Sequence, residues 1–502
     1  MKKKFAKLLA VCMAVLSLGA TVGCGGGKDT PDTATDIEIY LWKSGAGDEF
    51  MKQIIAGFEA KYPEYNVHLD AKSDGSYIDT TLKLGAELNS VDLYFVSKGS
   101  NYEKYCEPLN DVLAYTNEGE TKTVGEKIGA DRLKYFQSKD GNYYSLSYYG
   151  GWGSLVYNAD EIDGTKYKVP NTTDELYYLA MDLASEKKTP FIHFTDGGYW
   201  FYLYDVWTAQ YAGLDKYLDA IENPTLEKVC DDSIGVKQML EVMEQLIGAS
   251  DQCYNGSNSY DFTSAQTLFL ENKAVMMANG SWMEYEMREN YEVGTKNYSM
   301  MRVPVISSII DQCPSIEDDA ELSALISAID AKNTALEGTG YAVSQVDYDR
   351  IKNARSLMSN NFNGHSTCIP NYSTAKEGAK KFLQYFYSDE ALLTYANTLH
   401  AQAPADMSEG VTVDKSSWSA WALEQDAFSQ TQTVFVPGSL KAHIIYAEGG
   451  CNLYGEYDKK LVKFISSNNP NDKISAIKMW ENIKKRHQTN WDLYFQNAGV
   501  TQ

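Results

Sequence analysis

The chain has 502 residues, of which 44% are apolar and 23% charged, and its formal net charge is −23. This composition is typical of a soluble globular protein, and the length exceeds what one hydrophobic core organises, so we expect about three domains or fewer. The acidic excess argues against nucleic acid and against anionic lipid surfaces as partners.

The first 36 residues have the pattern of an export signal followed by a linker. Lysines precede an apolar run from Leu8 to Leu18, which is too short to anchor a helix across a bilayer. Thr21-Val22-Gly23-Cys24 resembles the cleavage box of bacterial lipoproteins, although Thr21 stands where that box usually has a larger aliphatic residue. We therefore predict a signal peptide over 1–23, lipidation of Cys24 and a flexible tether over 24–36. A plain secretory signal with a free Cys24 is the alternative.

Strand and helix patterns alternate over the next sixty residues. Predicted strands cover 37–42, 67–71 and 91–96, and predicted helices cover 48–62 and 77–88. In the first helix, Phe50, Ile54 and Phe58 recur every four residues and so share one face. Strand, helix, strand, helix, strand indicates a parallel sheet with right-handed crossovers.

The middle of the chain is rich in aromatic residues. An extended stretch broken by glycines covers 143–158, and a helix capped by Thr172 and Glu175 is predicted over 173–187. Further predictions are a strand over 190–194, an aromatic segment over 199–211, a short helix begun by Asn223 and Pro224, a helix over 236–247 and a strand over 298–305.

The stretch 268–284 joins a helix, a buried strand and a new helix. Residues 274–278 are wholly apolar, as in a strand buried on both faces of a parallel sheet. Ser281 and Glu284 have the spacing of a capping box. Ligands bind outside the carboxyl ends of strands in such sheets, and Trp282 lies at that end. A tryptophan that only packs at an interface is the alternative.

The last third of the chain is predicted to be mostly helical. Residues 307–336 are acidic and indicate an inserted helix, and residues 338–344 a strand. Predictions for the rest are a helix capped by Thr374 and Glu377, a helix from Ser388 to His400, a strand over 432–436 and a C-terminal amphipathic helix over 474–497.

Motifs for catalysis are absent from the sequence. It has no G-x-S-x-G elbow, no H-E-x-x-H pair, no phosphate-binding G-x-x-x-x-G-K-[ST] loop and no calcium loop. The six cysteines after Cys24 are scattered without C-x-x-C spacing, so we expect no metal, and the sequence does not choose among disulfide pairings. Two positioned carboxylates would suffice for a glycan hydrolase, and sequence spacing does not exclude them. Asp196 at a predicted strand end is the best lone carboxylate: it would accept hydrogen bonds from ligand hydroxyls or, as the alternative, serve as an N-cap that needs no ligand.

Six segments carry a family resemblance. They are FEAKYPEYNV (58–67), VDLYFVS (91–97), GSLVYNADEI (153–162), LFLENKAVMMANGSW (268–282), GTGYAVS (338–344) and KKFLQYFYSDEALLTYANTLHAQAPA (380–405). In this order, behind a lipoprotein-like signal, the chain resembles the bacterial extracellular solute-binding proteins of family 1, the sugar-binding lipoproteins of ABC importers, similar to maltose-binding-type proteins. Residues 307–336 and 410–470 match poorly and are expected to be insertions.

The resemblance implies an α/β fold of two lobes, each a mainly parallel sheet flanked by helices, with the ligand cleft between them. The N-terminal lobe would comprise 37–145 and 340–400, and the C-terminal lobe 146–305 and 405–502. Residues 306–339 would form a crossing segment with an insertion. Members of the family bind sugars and deliver them to membrane permease subunits. We therefore expect a carbohydrate receptor whose ligand is an oligosaccharide. We expect no enzymatic activity and no cofactor.

The chemistry of sugars then selects candidate contacts. A pyranose has apolar C–H faces that stack on aromatic rings, and hydroxyls that need polar partners. Trp282 matches the family position that commonly stacks on sugar. The other candidate ligand contacts are Trp42, Lys43, Tyr77, Ser97, Lys98, Tyr149, Trp152, Asp196, Tyr199, Trp200 and Tyr341. For each of these, plain packing or a solvated loop is the alternative.

Two other functions remain open at this point. The same fold could bind a peptide, a polyamine or iron, or the chain could be a surface-anchored glycan hydrolase. The expected partners are a carbohydrate, the transmembrane subunits of an ABC permease and the membrane through the lipid on Cys24, with the protein itself a monomer. The expected location is the extracellular face of a bacterial cell membrane, in an envelope of the Gram-positive type.

Overall fold

The structure is a computed structural model. It describes residues 34–73, 78–87, 89–97, 99, 101–249, 251–288, 291–292, 295–332, 342–360, 364–435, 451–457, 461–467 and 471–498. The predicted signal peptide, Cys24 and most of the tether lie outside these residues. So do three candidate ligand contacts, Tyr77, Lys98 and Tyr341.

Strands and helices alternate along the described chain. The strands are β1 (Thr35–Trp42), β2 (Tyr65–Lys72), β3 (Leu93–Ser97), β4 (Leu146–Ser147), β5 (Gly153–Asn158), β6 (Phe191–Ile192), β7 (Met276–Gly280), β8 (Tyr298–Met300), β9 (Leu357–Ser359), β10 (His365–Cys368) and β11 (Thr433–Phe435). The α-helices are Glu49–Lys61, Ile78–Leu84, Tyr102–Tyr105, Asn110–Leu113, Val124–Ile128, Ala130–Leu133, Ala159–Ile162, Thr173–Ser185, Phe201–Ala212, Leu214–Glu222, Leu226–Val229, Val236–Ile247, Phe262–Leu270, Met283–Met287, Asp319–Asp330, Gln345–Ser356, Lys376–Phe386, Asp389–Leu399, Ala420–Thr431, Leu461–Ile465 and Ala476–Ala498.

The first sheet has the strand order β2-β1-β3-β10-β4. β1 pairs in parallel with β2 and β3, whereas β10 runs antiparallel to both β3 and β4. Four of its strands therefore point one way and β10 points the other. The predicted βαβ unit is confirmed, and its helix Glu49–Lys61 buries Phe50, Ile54 and Phe58 against the sheet as the four-residue spacing requires.

The second sheet has the order β6-β7-β5-β8. β6 and β7 are parallel, and β5 runs antiparallel to β7 and β8. All five residues of β7 are buried, and the strand begins and ends two residues later than the apolar run 274–278 that predicted it. The α/β class is confirmed, and the structural likenesses reported below establish the two-lobe fold. Each sheet contains one strand that opposes the others.

Each sheet has its own hydrophobic core. Leu41, Phe58 and Phe95 belong to the core of the first sheet, and Leu155 and Trp207 to the core of the second. The separate cores agree with two lobes, while the lobe boundaries stay a prediction.

One helix contacts elements of the second sheet although the sequence assigns it to the first lobe. Gln345–Ser356, inside the range 340–400, packs against Phe201–Ala212 and Asp319–Asp330. Arg355 Nη2 lies 2.8 Å from Asp330 Oδ2, and Gln210 Nε2 donates to the Ala354 carbonyl at 3.1 Å.

Several local predictions differ from the structure. Thr172 does cap its helix by accepting a hydrogen bond from Glu175 N. Thr374 does not cap the helix Lys376–Phe386, because the buried Asp92 carboxylate accepts hydrogen bonds from Thr374 N and Ala375 N instead. The short helix after Pro224 is capped by Thr225, two residues later than predicted. The expected strand over 338–344 is not found in its described part, since 342–344 is irregular and Ser344 caps a helix.

Candidate functional site

An aromatic cluster lies beside the candidate site, at the carboxyl ends of the first sheet's parallel strands. Trp42 ends β1 and Ser97 ends β3. Because β10 is antiparallel to β3, its first residue, His365, pairs with Ser97 at the same edge. The Trp42 ring stacks on the His365 ring with centroids 4.9 Å apart and planes 9° apart. Tyr149 lies on another side of His365, at 4.8 Å.

One wall of the candidate site begins where β5 and β7 meet. Gly153, the first residue of β5, pairs with Gly280, the last residue of β7. A Cβ on Gly153 would lie 2.4 Å from the Tyr202 ring, so this position needs glycine. Ser281 and Trp282 follow Gly280 and lead into the short helix Met283–Met287.

The capping box predicted at this turn is wrong. The N-cap residue is Trp282, and no side chain caps the helix. Glu284 instead accepts hydrogen bonds from Tyr298 Oη at 3.0 Å and from Ser419 Oγ at 2.5 Å. Two partners distant in sequence therefore outcompete the local bond that the spacing indicated.

Trp282 both packs and faces the site. Its side chain is 6% exposed, and its ring contacts Tyr199 at 5.1 Å and Tyr202 at 5.5 Å between centroids. A Cβ on Gly151 would lie 2.8 Å from Trp282 Cε3, and one on Gly45 would lie 3.4 Å from Cδ1. Glycines thus let backbone from the loop after β1 and from the segment before β5 approach the ring closely.

A cavity of about 320 Å³ lies between this wall and two parts of the first lobe, Ala46 in the loop after β1 and residues 398–402 at the end of the helix Asp389–Leu399. Its aromatic lining consists of Tyr149, Trp152, Trp282, Tyr285, Trp418 and Trp421. Its polar and charged lining consists of Ser281, Glu284, Arg288, Thr398, His400, Gln402, Gln425 and Asp426. Apolar rings with a few converging polar groups are the usual lining of a small-molecule site, and the volume is at the small end of the usual range.

The short helix after Trp282 carries a buried carboxyl, that of Glu286. Burial raises the pKa of this carboxyl to about 7, while a hydrogen bond from Gln266 Nε2 opposes the shift. Burial, with Glu286 nearby, also raises the pKa of Tyr149 and of Tyr199. The Glu286 carboxyl therefore carries less than a full negative charge at neutral pH.

Charged residues also belong to the cavity lining itself, and two of them have a described partner. The Arg288 guanidinium lies 3.6 Å from the centre of the Tyr285 ring. Asp426 is paired with Lys415 at 2.6 Å. A neutral, hydroxylated ligand could therefore meet both donors and acceptors here without leaving a buried charge unpaired.

The predicted contacts fall into several groups. Tyr149, Trp152 and Trp282 line the cavity, and Tyr199 packs on Trp282. Trp42 and Ser97 lie at the carboxyl ends of β1 and β3 in the first sheet. Lys43 is ion-paired with Asp48 at 2.9 Å.

Two further candidates lie on the 3₁₀ helix Thr195–Trp200. Asp196 is one of them, and its side chain is outside the described part. Trp200 is fully buried against Phe191 and Trp207 in the second core, where it has no access to the cavity.

The sequence does not single out Trp418 and Trp421, which lie within the expected insertion 410–470 and line the cavity. It does not single out His365 either, which lies against Trp42 and Tyr149 because the antiparallel β10 presents its first residue there. The signal of the two tryptophans was present in SSWSAWAL, where Ser419 caps a helix and two tryptophans are three residues apart.

Within the described ranges, no group of three or more His, Cys, Asp or Glu side chains could hold a metal ion. The same part of the chain has no helix long and apolar enough to cross a membrane. The six cysteines from Cys106 to Cys451 are all described, and none is in a disulfide.

Comparison with known proteins identifies related chains. A family model described as bacterial extracellular solute-binding protein matches residues 53–425. The multiple sugar-binding protein of Streptococcus mutans is 24% identical over 307 residues, which are 58% of this chain and 69% of that protein. The diacetylchitobiose binding protein NgcE of Streptomyces coelicolor is 26% identical over 147 residues, 29% of this chain and 30% of that protein.

Solved structures show the same fold. The solute-binding protein RafE in complex with raffinose matches with a TM-score of 0.61 at 14% identity, covering 91% of this chain and 99% of that one. At 14% identity this likeness shows the fold alone, which is the two-lobe architecture.

Proposed function

The chain belongs to the bacterial extracellular solute-binding proteins, and on this basis we propose that it captures a carbohydrate between its lobes for an ABC importer. The observation that carries the proposal is the lining of the cavity. Four tryptophans and two tyrosines supply flat apolar surfaces, and eight polar or charged side chains lie among them. A pyranose needs both, because its C–H faces are apolar and its rim is hydroxylated.

The names of similar proteins support a carbohydrate over other solutes. One relative is named for multiple sugars and another for diacetylchitobiose, and a structure of the same fold holds raffinose. An oligosaccharide is the proposed class. Delivery to permease subunits, a monomeric state and anchoring of the mature protein at the outer face of the membrane through Cys24 complete the proposal.

A thermal-shift screen tests the ligand class. A ligand that binds only the native state raises its stability by RT ln(1 + [L]/Kd), which is about 2.7 kcal/mol at a hundredfold excess over Kd. Mono- and oligosaccharides are compared with amino acids, peptides, polyamines and iron. We expect saccharides alone to raise the melting temperature. A shift with a peptide, a polyamine or iron, and none with any saccharide, would replace the proposed ligand class.

Two further measurements test the remaining parts. Sugar content is followed in the same samples, because consumption of the saccharide would favour a glycan hydrolase over a receptor. Membrane attachment is compared between the wild type and Cys24→Ala in cells. Release of the variant into the medium is expected, since its N-terminus lacks the thiol that would carry the lipid.

A further inference from the structure

One carboxyl group of the second lobe, that of Glu286, lies in the contact between the lobes. Its helix, Met283–Met287, packs on the 3₁₀ turn Ser44–Ala46 that follows β1. A Cβ on Gly45 in that turn would lie 3.3 Å from Glu286 Oε1. Gln266 Nε2 donates to Oε2 at 3.0 Å. One carboxyl oxygen therefore faces the first lobe, and the other is held by the second.

Aromatic rings and an amide surround this carboxyl on its other sides. Two titratable groups face it from other elements, Tyr149 in the segment before β5 and Tyr199 on the 3₁₀ helix Thr195–Trp200. Burial raises the pKa of both phenols, and the nearby carboxyl adds to each shift, so both rings stay neutral at neutral pH. The helix Phe262–Leu270, which carries Gln266, has no titratable side chain.

The other charged groups on the same helix, and directly after it, have partners of their own. Glu284 accepts hydrogen bonds from Tyr298 Oη at 3.0 Å and from Ser419 Oγ at 2.5 Å. The Arg288 guanidinium lies over the Tyr285 ring, 3.6 Å from its centre. Neither group forms an ion pair with the carboxyl between them in the sequence.

The part of the first lobe that approaches this helix carries charges that are already paired. Lys43 and Lys52 both pair with Asp48, at 2.9 Å each. Burial raises the pKa of Tyr285, with a smaller contribution from Glu49 and Asp48, so carboxylates of the first lobe lie near the helix. Within the described residues, the first lobe therefore brings no free cation to the carboxyl.

The charged and the neutral form of this carboxyl suit different arrangements of the lobes. With the lobes in contact, a carboxylate would have one amide donor and no cation, and burial of this kind disfavours the charged form. Burial accordingly raises the pKa of Glu286 to about 7. When the lobes of such a fold move apart, the backbone at Gly45 leaves Oε1 and water reaches it, which favours the charged form.

We propose that closure of the lobes takes up a proton at Glu286, so that ligand affinity rises as the pH falls from 8 toward 5. Glu286 lies outside the cavity lining, so the proton acts on the lobe contact and not on the ligand. The closed form holds the proton more tightly than the open form. Its added stability is therefore complete below the ordinary pKa of 4.5 and is lost as the pH rises through about 7. The inference rests on the proposed function for the ligand that drives closure.

Calorimetric titration at pH 5.5 and pH 8 tests the coupling. The probe is whichever of maltotriose, raffinose and diacetylchitobiose raises the melting temperature most. Between pH 8 and pH 5.5, the wild type should gain about tenfold in affinity relative to Glu286→Gln, whose neutral amide needs no proton. At pH 7, titrations in buffers of different ionisation enthalpy should show about half a proton more taken up by the wild type than by the variant.

Matched comparisons separate Glu286 from other titratable groups. His400 lines the cavity and is present in both chains, so its contribution cancels in the comparison. Asp319→Asn removes another carboxyl whose pKa burial raises, but the partner of this one is Thr172 and not the first lobe. This control should keep the wild-type profile. Parallel profiles for the wild type and Glu286→Gln would refute the coupling while the receptor function stands. If that variant does not fold, absence of proton uptake by the wild type at pH 7 refutes it.

Failure of the proposed function would leave a different result. A wild type that shows no thermal shift with any saccharide overturns that function, and the coupling is then decided without ligand. Small-angle X-ray scattering of the ligand-free wild type should give a smaller radius of gyration at pH 5.5 than at pH 8, whereas Glu286→Gln should give equal radii. Equal radii for the wild type would then overturn this inference as well.

Discussion

At the scale of single residues, two tryptophans near strand ends have opposite environments. Trp282 lines the cavity at 6% exposure, and Trp200 is fully buried against Phe191 and Trp207. Both follow a strand of the second sheet, and local sequence does not distinguish them. The difference arises because Trp282 is reached by glycine backbone from the loop after β1, whereas Trp200 lies under the helix that follows it.

Substituting each of these residues by alanine tests which of the two rings contributes to ligand binding. Trp282→Ala removes the aromatic surface at the cavity, so we expect saccharide affinity to fall about 50-fold, from about 2 to 3 kcal/mol of lost burial. Trp200→Ala empties a core site, so it should lower the free energy of unfolding by about 3 to 5 kcal/mol and leave affinity unchanged. Calorimetry at low temperature and urea unfolding measure the two quantities. Unaltered affinity in Trp282→Ala would show that its ring only packs.

At the scale of secondary-structure elements, the short helix Met283–Met287 brings Glu286 against the first lobe. A Cβ on Gly45 would lie 3.3 Å from Glu286 Oε1, and Gln266 Nε2 donates to Oε2 at 3.0 Å. Burial raises the pKa of this carboxyl from 4.5 to about 7. The folded state therefore binds a proton more tightly than the unfolded state, and this contribution to stability is present below pH 4.5 and is lost as the pH rises through 7.

Glu286→Gln should abolish this pH dependence. The wild type is expected to lose about 2 to 3 kcal/mol of unfolding free energy between pH 5 and pH 8 relative to the variant, because the neutral amide needs no proton. Urea unfolding at both pH values measures the difference. The exposed Glu118→Gln serves as a control that should follow the wild type. Parallel profiles for wild type and Glu286→Gln would contradict the assignment.

A buried ion triad joins two helical segments of the first lobe. The fully buried Lys127 Nζ lies 2.7 Å from Glu120 Oε2 and 2.8 Å from Asp389 Oδ1. Lys127→Met would leave two carboxylates without their cation, so we expect a loss of about 3 to 5 kcal/mol in unfolding free energy. Lys478→Met removes an exposed pair with Glu481 and should cost less than about 1 kcal/mol. Similar losses in the two variants, measured by urea unfolding, would show that the triad contributes no more than a surface pair.

At the scale of the whole molecule, the loop after β1 and the helix Met283–Met287 form a contact between the lobes. Gly45 faces Trp282 and Glu286, and a Cβ on Gly47 would lie 3.7 Å from the Tyr285 ring. The absence of side chains on these two glycines sets how closely the lobes approach. Closure around a ligand in such folds is a hinge motion, so a side chain in this contact acts as a spacer.

Gly45→Leu should hold the lobes apart. A Cβ alone would already be 3.3 to 3.4 Å from Glu286 and Trp282, closer than ordinary van der Waals contact, so we expect the larger leucine side chain to push these neighbours away. We expect at least a tenfold loss of saccharide affinity and a larger radius of gyration by small-angle X-ray scattering with saturating ligand. Gly45→Ala should show a small effect in the same direction. Wild-type affinity in Gly45→Leu would mean that this contact does not form in the bound state.

The sequence by itself determined the local elements and the family. Three local features were predicted correctly, because each depends only on neighbours within a few residues. They are the four-residue spacing in Glu49–Lys61, the Thr172 cap and the buried apolar strand β7. The ordered segments from Phe58 to Ala405 identified the solute-binding fold for the same reason, because they are local patterns in a fixed order.

Only the tertiary structure decided which side chains meet. Glu284 accepts hydrogen bonds from Tyr298 and Ser419 and does not cap its own helix. Asp92 takes the capping role that was predicted for Thr374. His365 stacks on Trp42 because β10 is antiparallel, and Trp418 reaches the cavity because a helix far along the chain docks on the turn at Ser281. Such contacts join residues tens to hundreds of positions apart, and their free energies depend on burial and competing partners, which a local pattern does not contain.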